Sequence, residues 1–150
     1  MSQNYKVIFR LDQDEDEDGY PPAAFEGLWA TVLPNGNFKI DSIPFYVLGI
    51  SGDDEIEVDS VNDELWFRSL VSPSKNSTFR LLFSNKDTHV KVREELNKLG
   101  CKSEYNQKIG LVAVEIPENT AIKPFLNYIL DGQKRGEFDF EEAALRHSVN

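Results

Sequence analysis

The sequence predicts an α+β fold in two lobes: a small antiparallel β-barrel-like half over residues 1–76, then a βαββαβ half over residues 77–150, together forming one cooperative unit. Three observations carry that prediction. Five or six short segments with strand character precede residue 72, and turn residues separate them every few positions. Only after residue 85 do apolar residues recur at helical spacing. A chain of 150 residues with 40% hydrophobic content, ten Phe and two Trp has the bulky apolar side chains a core needs.

In chain order, KVIFRL (6–11) sets Val7, Phe9 and Leu11 against Lys6, Ile8 and Arg10, a period of two that predicts a strand. Pro21 and Pro22 stop any helix from running on through the acidic stretch that follows. LWATVL (28–33) and NFKIDSI (37–43) flank Pro34, Asn35 and Gly36 and predict a hairpin, since Asn-Gly supplies the positive backbone dihedrals of a tight turn. FYVLGI (45–50), EIEVDSV (55–61) and ELWFRSLV (64–71) read as three further strands, with Trp29 and Trp66 expected in the core, or as interface anchors if either is exposed next to the acidic face.

Beyond SPSKNS (72–77), TFRLLF (78–83) predicts a strand. His89, Val92, Leu96 and Leu99 then share a helical face, with Asn85 or Asp87 available as a cap and Gly100 as the stop. KSEYN (102–106) and IGLVAVEI (109–116) form a second hairpin. Ile122, Phe125, Leu126, Ile129 and Leu130 mark a second helix ending at Gly132, and EFDFEE (137–142) returns as a strand. That order is the order of a ferredoxin-like unit. The last residues, RHSVN, are expected to fray, leaving His147 exposed.

Charge is unevenly spread. The net charge is −10, yet residues 1–66 carry three Lys or Arg against 15 Asp or Glu, a net of −12, while residues 67–150 carry 13 against 11, a net of +2. Binding to phosphate backbones rests on Lys and Arg, so nucleic acid is a poor partner and a cationic protein a suitable one; the same excess also keeps a protein dispersed. No run reaches the length of a membrane-spanning helix and the first residues lack a secretory pattern, so a cytosolic protein is expected. Cys101, the sole cysteine, excludes an intramolecular disulfide and reads as a buried thiol.

Two acidic groups are the candidate partner-binding residues. In DQDEDED (12–18), six of seven residues are carboxylates, and Asp14, Asp16, Asp18 and Gly19 match the first half of an EF-hand calcium loop. The twelfth position falls on Phe25, and a strand stands where a helix should, so that reading fails. Asp14, Glu15, Asp16, Glu17 and Asp18 are left as a solvated loop or a contact surface, with no metal or cofactor implied. In DDEIEVDS (53–60), Glu55, Glu57 and Asp59 fall at strand spacing on the face opposite Ile56 and Val58. Stacked like charges repel, so that face, with Asp53, is either exposed or neutralised by a cation.

Catalytic constellations are absent from the sequence: His89 reads as a packed residue on its helix, and no Ser-His-Asp context appears. Lys75 and Arg80, amid the hydroxyls of SPSKNSTFR (72–80), read as a polar connector or as a phosphate grip.

DGYPP (18–22), LWA (28–30), FKIDSIPF (38–45), GISGDD (49–54), STFR (77–80) and LGC (99–101) together resemble the bacterial family known as domain of unknown function 4265, over about residues 5–142, with Ser42 where the pattern more often has Asn. The resemblance implies a bacterial cytosolic protein and no catalytic residue. Small acidic bacterial proteins of this kind are often antidotes to toxins. The expectation is therefore a non-enzymatic immunity protein that blocks a basic toxin domain such as a nuclease; the alternative is a regulatory or small-ligand-binding module.

Overall fold

The computed structural model describes residues 3–12 and 23–149, with only the backbone of Lys86. The candidate residues Asp14, Glu15, Asp16, Glu17 and Asp18 lie outside the described residues. The chain divides into two compact units, Met1–Ser74 and Lys75–Asn150. Both strands and helices are present and strands predominate, as the α+β prediction requires.

The first unit is a closed barrel of β1 (Asn4–Arg10), β2 (Phe25–Val32), β3 (Phe38–Ile40), β4 (Glu55–Val61) and β5 (Glu64–Ser72). Each strand pairs antiparallel with the next, and a short parallel ladder, Val7 beside Leu65 and Ile8 beside Trp66, closes the ring. Alternation explains the interior: Val7, Phe9, Leu28, Ala30, Phe38, Ile40 and Ile56 point inward and are buried. Closure leaves no open edge on this sheet. The β4–β5 turn uses Asn62 and Asp63, both at positive φ (52° and 67°), a conformation these two residue types tolerate through their short polar side chains.

Residues 45–50, predicted as a strand, form none. The backbone amides of Phe45, Tyr46 and Val47 donate instead to the carboxylate of Glu26, at 2.7, 2.9 and 2.9 Å. A neighbouring buried carboxylate works in the same way: Asp54 accepts from the amides of Ser51 (2.9 Å) and Ser74 (2.8 Å). Ser42 holds the β2–β3 end by accepting the Trp29 amide at 2.7 Å.

The second unit places β6 (Ser77–Phe83), β7 (Lys102–Asn106), β8 (Leu111–Ile116) and β9 (Phe138–Ala144) in one antiparallel sheet of order β7-β8-β6-β9. Helix α1 (His89–Lys98) joins β6 to β7 and α2 (Ile122–Lys134) joins β8 to β9. A 3-10 turn over Lys86–Thr88, capped by the Asn85 side chain, leads into α1. At the far end Gly100 adopts φ 88°, and the Gly100 and Cys101 amides bond to Asn97 and Leu96 carbonyls, a helix stop that needs a residue free of Cβ strain. The core is Phe79, Leu81, Val92, Leu96, Val112, Val114, Phe125 and Ile129 with their neighbours; Phe79 and Phe125 meet edge to face at 5.1 Å. Cys101 is buried there, and burial pushes its thiol pKa up to about 11.

Arg146 and His147, expected to fray, are held in place. His147 is half-buried, with Nδ1 2.6 Å from Ser77 Oγ and Nε2 2.9 Å from the Pro117 carbonyl oxygen. A carbonyl only accepts, so Nε2 carries the proton and Nδ1 accepts the Ser77 hydroxyl. Ser77 Oγ also receives the Arg146 and His147 amides, which pins the terminal segment to β6.

Candidate protein-binding site

The outer face of the barrel carries what the sequence analysis assigned to the core. On β1 the outward residues are Lys6, Ile8 and Arg10, and β2 sets Trp29, Gly27 and Phe25 directly opposite them. Trp29 is 49% and Phe25 50% exposed, and Trp66 is half-buried, so neither tryptophan is a core residue. The inward positions of β2 are Leu28 and Ala30, small enough for a narrow five-stranded interior, and the indole takes the other face. Phe25 meets Trp66 edge to face at 5.5 Å. Lys6 Nζ lies 5.5 Å from the Trp29 ring centroid, and Arg10 Cζ lies 5.2 Å from that of Trp66. A Cβ on Gly27 would meet the Lys6 aliphatic chain at 2.7 Å, so glycine is what lets that chain cross β2. Exposed aromatic and aliphatic side chains gathered this way make this face the candidate interaction surface.

Carboxylates border these rings. Asp59 sits directly across the β4–β5 ladder from Trp66. The ladder skips Arg68, because Glu57 pairs with Ser69 and Val58 with Phe67. That bulge places the Arg68 guanidinium 3.9 Å from both Glu57 and Asp59. All three side chains are substantially exposed, so these pairs moderate repulsion between the two acids rather than cancel their charge.

The other candidate residues are differently employed. Asp53, at φ 67°, lies 3.9 Å from Lys39. Glu55 accepts from the Asn37 side chain at 2.7 Å and the Asn35 side chain at 3.1 Å, tying β4 to the β2–β3 turn. These bonds, Asn37 first, hold its carboxyl below the ordinary glutamate range. The sign follows: a lowered folded pKa contributes stability above the ordinary glutamate pKa and loses it as pH falls through the folded value. Carboxyl-detected NMR titration should find Glu55 below the ordinary range, and Asn37→Ala should move it upward; no change in Asn37→Ala would contradict the assignment.

Residues proposed for other chemistry are engaged elsewhere. Arg80 is 1% exposed, and its Nε donates to Glu141 at 3.0 Å, so its charge is committed inside the second unit and the phosphate grip with Lys75 is not formed. Lys75 lies 3.8 Å from Glu118 at the surface. The Ser77–His147 pair, 70 residues apart, has no signal in the sequence; Ser77 is fully buried with its oxygen already bonded, so it clamps the terminal segment and offers no attacking group. His89 stacks on Tyr105 with ring centroids 3.6 Å apart. Among the described residues no group of three or more His, Cys, Asp or Glu is arranged to hold a metal ion, and no helix is long and apolar enough to cross a membrane.

The fold is that of a two-unit α+β protein: a small barrel whose outer face carries aromatic rings bordered by carboxylates, and a unit of one four-stranded sheet with two helices. The chain belongs to the family described as Domain of unknown function (DUF4265), whose model matches residues 26–140. In fold it is similar to the subject of "Novel crystal structure of a hypothetical protein from Neisseria gonorrhoeae", with a TM-score of 0.74 and 20% identity over 99% of this chain and 98% of that one. No curated protein matches the chain.

Proposed function

We propose that this protein is a cytoplasmic, non-enzymatic binding module that captures a cationic protein, in the manner of an immunity protein covering the active groove of a basic toxin domain. A nuclease suits the role best, because a nuclease must be cationic to hold its own substrate. The observation that carries the reading is Trp66 directly across from Asp59, with exposed Phe25 edge to face against the indole and Glu57 joined to Asp59 through Arg68. An amphipathic ring at the centre of a polar border is the arrangement in which interface anchors are found. The acidic excess of residues 1–66 adds long-range attraction.

The test is co-purification with the product of the adjacent reading frame, followed by association kinetics. With Glu57→Lys and Asp59→Lys together, the association rate at low salt should fall by about tenfold and lose much of its salt dependence. An unchanged rate would count against this face.

We also read the second unit as ferredoxin-like; its sheet order and its two connecting helices support that reading. The alternative, a small-ligand module, draws support from one feature there. A cleft of about 730 Å³ between α1 and β7 has Arg93, Lys98, Lys102 and Ser103 in its lining together with Glu94, and Arg93 is held by two bonds to Ser103, from Nε to Oγ at 3.1 Å and from Nη2 to the carbonyl at 3.2 Å. A thermal shift with a small anion that Arg93→Ala abolishes would favour this alternative.

A further inference from the structure

We propose that the cavity beside the β4–β5 hairpin is an arginine-accepting pocket, which receives one arginine side chain of the partner against Trp66 with its charge between Asp59 and Glu64. The inference rests on the docking reading above and gives it a contact. The cavity measures about 480 Å³ and is lined by Arg10, Asp59, Val61, Asn62, Glu64 and Trp66, with Phe67 also at its wall. Its surfaces divide by chemistry. Trp66 offers aromatic surface, Val61 gives an aliphatic wall for a methylene chain, and the two carboxylates and the Asn62 side-chain carbonyl supply acceptors for guanidinium N–H groups. A planar guanidinium is suited to stack on an indole while bonding sideways to carboxylates; an ammonium has no such plane.

The pocket already shows what it takes. Arg10 reaches from β1 and sets its guanidinium carbon 5.2 Å from the Trp66 ring centroid, so the indole face is occupied by a cation of this chain. Arg10 is exposed, and among the described residues no carboxylate lies within ion-pair distance of it. An arginine from a partner can therefore displace Arg10 without breaking an ion pair of Arg10, and it shares Asp59 with Arg68, whose guanidinium lies 3.9 Å away with both side chains exposed. This makes Arg10 a placeholder that competes with the partner, and its removal should strengthen binding although it removes a residue lining the site.

The experiment follows the Trp66 indole N–H by NMR, in a Trp29→Phe background that leaves one indole signal. N-acetyl-arginine amide is titrated against its neutral citrulline counterpart. The arginine compound should shift the resonance saturably and the citrulline compound should bind at least tenfold more weakly. Arg10→Gln should tighten binding of the arginine compound at least threefold, and Asp59→Asn with Glu64→Gln should weaken it at least tenfold. Equal response to the two compounds, or weaker binding in Arg10→Gln, would overturn the proposal. If the arginine compound fails to bind while the cationic protein still binds and Trp66→Ala still abolishes that binding, the pocket is refuted and the docking face survives. Failure of both refutes both.

Discussion

Glu26→Ala is expected to destabilise the barrel unit by about 3 kcal/mol, since hydrogen bonds to a charged group contribute about 1.5–3 kcal/mol each and half-burial reduces the sum over three of them. The cause is local. Phe45, Tyr46 and Val47 direct three consecutive amides at one carboxylate. Glu26→Gln should recover little, because the amide nitrogen of glutamine is a donor facing donors. Urea unfolding followed by tryptophan fluorescence reads the effect cleanly, as both tryptophans lie in the first unit. A change below about 0.5 kcal/mol, the level of an ordinary surface substitution, would mean that the segment over residues 45–47 holds its shape without Glu26.

The second large effect concerns binding. Trp66→Ala is expected to weaken capture of the cationic partner by about 2–4 kcal/mol, the range of a central aromatic anchor, equivalent to roughly thirty-fold to several-hundred-fold in Kd. Trp66 projects from the outer face, while its neighbours Leu65 and Phe67 pack against the core. The substitution should therefore leave the fold intact, and circular dichroism serves as the control. Isothermal titration with the co-purified partner measures the loss. A change of less than threefold would move the interface off this face.

Much of the architecture is legible in the sequence because it is local. The period-two alternation of Val7, Phe9 and Leu11, the Asn35-Gly36 turn and the helical recurrence of Val92 and Leu96 before Gly100 each express a backbone preference within a few residues. What stayed hidden depends on partners far along the chain. FYVLGI has the composition of a strand, yet its first three amides are taken by a carboxylate 19 to 21 residues earlier. Ser77 and His147 meet across 70 residues for the same reason. Trp29 sits between Leu28 and Ala30, so the strand pattern permits either face; only the pairing of Lys6 with Trp29 and of Val7 with Leu28 fixes which one turns outward.

The acidic residues show the same limit. Counting charge treats every carboxylate alike, whereas the fold gives them separate tasks. Glu26 and Asp54 bind backbone amides, Glu55 binds two turn asparagines, and Glu57 and Asp59 share Arg68 while still facing solvent. Of the candidate residues within the described segments, Asp59 is therefore the one left with both exposure and an aromatic neighbour, and exposed Glu57 is joined to it through Arg68. Glu64, which charge counting did not single out, joins them through the hairpin cavity.

The central claim is that the outer face of β1, β2, β4 and β5 is where the cationic partner docks. Hydrogen–deuterium exchange of the complex against the free protein tests it most directly. Protection is predicted in Asn4–Arg10, Phe25–Val32 and Glu55–Ser72, greatest around Asp59 and Trp66, with α1 and β7 unchanged. Protection confined to α1 and β7, with the barrel strands exchanging as in the free protein, would contradict it.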